Sequence, residues 1–74
     1  MSSRRTLAGV PDGESVFVLA VDAGGKARAR LESMGIIPGI EVDVLTNGGG
    51  PLLVSVGEGR IMVERGVADK VLVA

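Results

Sequence analysis

Nine acidic and eight basic side chains carry almost all the reactive chemistry in this 74-residue chain. Histidine, cysteine, tyrosine and tryptophan are absent. That excludes a Cys/His zinc centre and a nucleophile activated by imidazole. The serines have no base beside them in any recognisable motif, so the expectation is no enzyme and no cofactor. Two carboxylates, Glu41 and Asp43, stand two residues apart and would share one face of a strand. Ferrous iron accepts carboxylates and imidazoles. With no imidazole available, the pair reads as a solvated strand face, and no metal ligand set can be placed on the chain. The glycine triplet Gly48-Gly49-Gly50 lacks the Gly-Lys-Ser/Thr ending of a phosphate loop and runs into Pro51 instead. Lys26, Arg28 and Arg30 put three cations in five positions, with Arg4 and Arg5 as further candidates. They make either a solvated helix face or a docking patch for an acidic partner or an anionic leaflet. Nucleic acid is disfavoured by a net charge of −1 and by Phe17 being the only aromatic ring.

Those groups must be positioned by a small domain. A chain this short forms one domain with a thin core, here residues 1–74, with 1–6 expected to fray. No apolar run approaches the ~18 residues of a membrane span. MSSRRTLAGV has no apolar signal-peptide core, so a cytoplasmic protein is expected. Pro11-Asp12-Gly13 signals a turn. VFVLAV, residues 16–21, suits a strand. KARARLESM, residues 26–34, places Ala27, Leu31 and Met34 on one helical face, with Arg28 and Glu32 spaced for an ion pair. Gly35 stands where a left-handed helix cap belongs, and Pro38-Gly39 forms a turn that aims the next strand. Ile40, Val42 and Val44 alternate with Glu41 and Asp43. TNGGGP, residues 46–51, makes a hairpin loop, with Asn47-Gly48 its strongest signal. Leu52–Val56, Arg60–Glu64 and Lys70–Ala74 complete five strands. Arg65–Asp69 provides one helical turn, and the closely spaced turns argue for a small barrel without free edges.

The apolar residues exceed what one interior can hold. Val16, Val18 and Ala20 alternate with Phe17, Leu19 and Val21, and both sets cannot point inward. Leu45, Leu53 and Leu72 pose the same problem. Whatever the helix and loops leave uncovered makes an apolar patch suited to self-association or partner docking.

Arg28-x-Arg30-Leu31-x-x-Met34-Gly35-x-x-Pro38-Gly39-x-x-Val42 resembles the signature of FeoA-domain proteins. Gly50-Pro51, Val54, Gly59-Arg60-Ile61-Met62-Val63 and Ala68-Asp69-Lys70-Val71 with Val73 follow in the family's order. Leu7 and Gly13-Glu14 match upstream, so the resemblance covers essentially the whole chain. Ala29 departs from it, standing where many relatives carry a larger or basic residue. The resemblance implies a mainly β fold: an SH3-like five-stranded β-barrel with one short helix inserted after the first strand. It implies a small cytosolic accessory protein of bacterial ferrous iron transport. Its partner would be the membrane iron transporter with a cytosolic GTP-binding domain, which would bring it to the inner face of the membrane.

A similar domain ends the DtxR-type metal-dependent repressors, so the alternative is a metal-sensing regulatory domain. A chain of this length has no room for a helix-turn-helix plus a dimerisation region, which favours the accessory. On that reading Leu31, Met34, Ile36 and Ile37 form the docking corner. Arg28 and Arg30 form its electrostatic rim, and Gly35, Pro38 and Gly39 hold the turn.

Overall fold

The computed structural model describes residues 5–74. A 3₁₀ turn at Leu7–Gly9 leads into β1 (Ser15–Val21), then α1 (Gly25–Ser33), β2 (Glu41–Thr46), β3 (Leu52–Val56), β4 (Gly59–Val63), α2 (Arg65–Ala68) and β5 (Val71–Val73). All five strands lie in one antiparallel sheet, in the order β4-β3-β2-β1-β5. The fold is thus mainly β with the helix after the first strand.

The expected closure into a barrel without free edges does not occur. The strand β5 is only three residues long, and its outer side is already taken. Thr6 bridges Leu72, and the Val73 N–H donates to the Arg5 carbonyl at 3.0 Å. The entering chain therefore pairs where β4 would have to, and β4 is left as an edge. Residues 5 and 6, which the sequence expects to fray, are paired with β5 here. Residues 1–4 lie outside the described residues.

One face of the curved sheet wraps the core. Val16, Val18, Val42, Val44, Leu52, Val54, Val63, Val71 and Val73 point into it and are joined by Leu7, Val10, Leu31, Ile36 and Ala68. The conflict within VFVLAV is settled by a register shift between Val18 and Ala20 against β5. An extra residue reverses the alternation. Val21 therefore joins Val16 and Val18 inside, while Phe17 and Leu19 remain 53% and 58% exposed. On the outer face Leu45 is exposed, and Leu53 and Leu72 are half-buried. The helix does not cover this face; only Leu31 of α1 is fully buried.

Asn47 has a larger role than starting a hairpin. No non-glycine residue among those described has a positive φ, which rules out a type I′ Asn-Gly turn here. The Asn47 side-chain amide instead donates to the carbonyls of Ala8 at 2.9 Å and Val10 at 2.7 Å. Its backbone N–H donates to Asp12 Oδ1 at 2.5 Å. Its own Oδ1 accepts from Arg65, whose guanidinium also reaches the carbonyls of Gly49 at 2.9 Å and Ala8 at 3.0 Å. One asparagine and one arginine thereby tie the N-terminal turn, the β2–β3 loop and α2 together. Replacing Asn47 with alanine strips the Val10 carbonyl of its side-chain donor and removes one of two bonds at the Ala8 carbonyl and one from the Arg65 guanidinium. It is expected to lower stability by about 2–3 kcal/mol, read as a reduced urea midpoint with an unchanged slope.

Candidate functional site

The corner between α1 and β2 is built by backbone geometry. α1 is capped by Met34, and Gly35 follows with φ +86°. The Ile36 N–H reaches the Leu31 carbonyl at 2.9 Å, and the Gly35 N–H reaches the Glu32 carbonyl at 3.0 Å. These are the two bonds of a Schellman ending, and the apolar pair that usually accompanies it is Leu31 with Ile36. Both are fully buried. A type II turn comes next, with Pro38 and Gly39 at its centre, Gly39 at φ +92° and the Ile40 N–H bonded to the Ile37 carbonyl at 3.2 Å. The turn is then fastened to β1: the Gly39 N–H donates to the Val18 carbonyl at 2.8 Å, and the Val18 N–H donates to the Ile40 carbonyl at 2.9 Å.

This geometry divides the four apolar corner residues by role. Leu31 and Ile36 support the corner from within and offer no surface. Met34 is half-buried, and Ile37 is 41% exposed at the apex. Ile37 borders an open groove lined by Ile40, Val56, Glu41, Asp43 and Ser55. The corner surface is thus an apolar side chain on a fixed loop beside an acidic lip.

The two arginines do not form a continuous rim. At 100° per residue they lie far apart around α1. The Arg28 guanidinium folds back to the Val21 carbonyl at 3.0 Å, towards β1 rather than along the helix to Glu32. Arg30 lies beside Met34, Met62, Glu64 and Val67. Arg5 is engaged elsewhere, in an ion pair with Glu14.

The remaining candidates are placed as follows. Asp43 accepts from Ser15 Oγ at 2.5 Å across the β1–β2 pair, and Glu41 stands opposite Phe17. Among the described residues no group of three or more His, Cys, Asp or Glu side chains is gathered to hold a metal ion. The glycine triplet directs a carbonyl, at Gly49, to Arg65; it is a loop and forms no amide cradle. No helix among the described residues is long and apolar enough to cross a membrane. The sequence reading missed the 3₁₀ turn at Leu7–Gly9 and the Asn47–Arg65 junction. The turn is local, closed by the Thr6–Gly9 and Leu7–Val10 backbone bonds, but is too short to show a periodicity, and the junction joins residues far apart in the chain.

A family model described as the FeoA domain matches residues 5–74. The chain belongs to the FeoA family. It is 42% identical over 67 residues to the "Putative Fe(2+) transport protein A" of Methanocaldococcus jannaschii, a match covering 90% of this chain and 82% of that protein. The crystal structure of an iron uptake regulatory protein, also FeoA, is 33% identical and superposes with a TM-score of 0.90 over 96% of each chain. The zinc complex of Stenotrophomonas maltophilia FeoA, described as a prokaryotic SH3 domain protein, is also 33% identical. It superposes with a TM-score of 0.85 over 95% of this chain and 89% of that one. The fold is accordingly SH3-like. A manganese-dependent transcriptional repressor carries the same fold in 44% of its length, at 20% identity and a TM-score of 0.86.

Within the FeoA corner, Gly35 and Gly39 both hold a positive φ, and Gly35 is also close to a neighbouring side chain. A Cβ there would meet Val56 Cγ1 at 3.4 Å, which is tight but tolerable. The backbone conformation is the real obstacle. Gly35→Ala is expected to cost about 1–2 kcal/mol in chemical denaturation, from left-handed strain alone.

Proposed function

We propose that this FeoA-family chain is a non-enzymatic accessory of ferrous iron transport, acting in the cytoplasm by docking on the GTP-binding membrane transporter. The observation that carries the reading is Ile37. A large apolar side chain is 41% exposed on a loop braced by hydrogen bonds to the end of α1 on one side and to β1 on the other. Apolar surface held in one conformation loses little entropy on binding, which suits a docking contact. Family membership supplies the link to Fe(2+) transport. The description of the S. maltophilia relative, as a possible ferrous iron transport activating factor, points the same way.

Docking uses Ile37 and the exposed part of Met34, with Leu31 and Ile36 as the buried support beneath them. Arg28 and Arg30 serve as charged contacts on either flank of α1, and they steer approach to an acidic partner surface more than they add affinity. The effect on transport requires that binding favour one state of the transporter over another.

Ile37→Asp is expected to weaken capture by the transporter's cytosolic domain at least tenfold and to reduce ferrous iron uptake in cells. The Arg28→Glu, Arg30→Glu pair is expected to slow association and flatten its salt dependence. Wild-type uptake by both variants would discard the corner as the docking surface. The alternative, a metal-sensing domain, shares its fold with the manganese-dependent repressor. Calorimetric titration with ferrous, manganous and zinc ions separates the two. The accessory reading expects no saturable binding tighter than micromolar, because isolated carboxylates make weak, unselective sites.

A further inference from the structure

The outer edge of β4 carries unpaired backbone groups in a specific arrangement. Gly57 and Glu58 form a two-residue loop, with Gly57 at φ +60° in the first central position of a type II′ turn. The loop makes Val56 and Gly59 a hydrogen-bonded pair, and bonded pairs alternate along an antiparallel ladder. Gly59, Ile61 and Val63 therefore spend their N–H and C=O groups on β3, while Arg60 and Met62 turn theirs outward. Among the described residues no backbone or side-chain group meets those of Arg60 and Met62. The edge has no proline, no lysine and no bulge, since all five β3–β4 pairs run in unbroken register. Such an edge is a template for another strand. Its side chains are also available: Met62 is 59% exposed, next to half-buried Leu53 across the pair. α1 faces the Met62–Glu64 end of the strand across a small pocket lined by Arg30, Met34, Met62, Val63, Glu64 and Val67.

We infer that this edge pairs with the same edge of a second copy of the chain, antiparallel and centred on Met62. Charge selects the occupant and the register. A two-fold pairing centred on Arg60 would set Arg60 against itself. Centred on Ile61, it would set Arg60 opposite Met62. Centred on Met62, it sets Arg60 of each copy opposite Glu64 of the other, and both side chains are exposed. Glu64 continues the strand direction, with φ −62° and ψ 142°. Its carbonyl is occupied by the Val67 and Ala68 N–H groups of α2, at 3.0 and 2.8 Å, so only its N–H can join the new ladder. The pairing then has two Met62–Met62 backbone bonds and one bond at each end, from Glu64 N–H to the Arg60 carbonyl of the other copy. The two Met62 side chains meet on the outer face and continue the apolar row of Leu53 and Leu45. Opposite-charge pairs across strands are individually weak, so they fix the register more than they add affinity.

The test uses the whole protein at concentrations up to roughly 1 mM, since a short ladder gives a weak dimer. Sedimentation equilibrium should show monomer and dimer. The Arg60 N–H also faces the free side of β4, but its exchange should not slow, because the Glu64 carbonyl opposite it is taken by α2. Exchange at Met62 and Glu64 should slow as concentration rises, while Ile61 stays protected throughout. Arg60→Glu should raise the dimer dissociation constant roughly tenfold by placing like charges opposite each other. Glu64→Arg should do the same, and the Arg60→Glu, Glu64→Arg double variant should restore dimerisation. Circular dichroism of each variant checks that it is folded. A strict monomer at all concentrations, a dimer indifferent to the single variants, or one not rescued by the double variant overturns the inference. Protection of Met62 that appears only on adding the transporter's cytosolic domain also overturns it, and assigns the edge to a different strand. Ile37→Asp leaves this edge intact, so failure here and failure of corner docking are distinguishable.

Discussion

The whole arrangement depends on the chain reversing direction between Leu31 and Ile40 without exposing backbone polar groups. A short helix must stop, turn and deliver a strand alongside β1 within ten positions. Two facing carbonyl bonds end the helix, and two further bonds fasten the turn to Val18. Leu31 and Ile36 fill the space below and join the helix to the sheet's core. With so few long helical contacts in a small domain, propensity alone would not hold nine residues helical. The tertiary anchor does, and it leaves Ile37 projecting by geometric necessity.

Much of this was visible in the amino-acid order because it is local. Gly35, Pro38 and Gly39 each answer a stereochemical demand of their own position, and the five strands follow from period-two patterning between glycine-rich turns. The two alternating sets in VFVLAV could not be assigned from pattern alone. Which set faces inward depends on the register shift against β5, a strand some fifty positions later in the chain. Openness of the sheet was hidden for the same reason. Residues 5 and 6 compete with β4 for the outer side of β5, and nothing in ARG-THR at that point advertises strand pairing. At the corner, spacing put Leu31, Met34, Ile36 and Ile37 together but could not say which were floor and which were surface.

The SH3-like scaffold carries no histidine, cysteine or tyrosine, so apolar shape and charge dominate what it presents. Its surface is correspondingly uneven. Phe17 and Leu19 on β1, and Leu45 and Met62 on the β2–β4 side, are exposed apolar residues on the outer face of the sheet. Between them lie Glu41, Asp43, Ser15 and Ser55, linked in part by the Ser15–Asp43 bond. Apolar and acidic zones alternate across one face, which favours partners that match both. Membership in the FeoA family ties the chain to Fe(2+) transport.

The junction of Asn47 with Arg65 has a bearing on how the protein is born. The Ala8 carbonyl receives hydrogen bonds from residues 39 and 57 positions away. Closing spans of that length is slow relative to forming a turn or hairpin. A chain folding as it is made cannot set this clasp before Arg65 emerges, so the N-terminal turn stays unlatched while the central corner already takes shape.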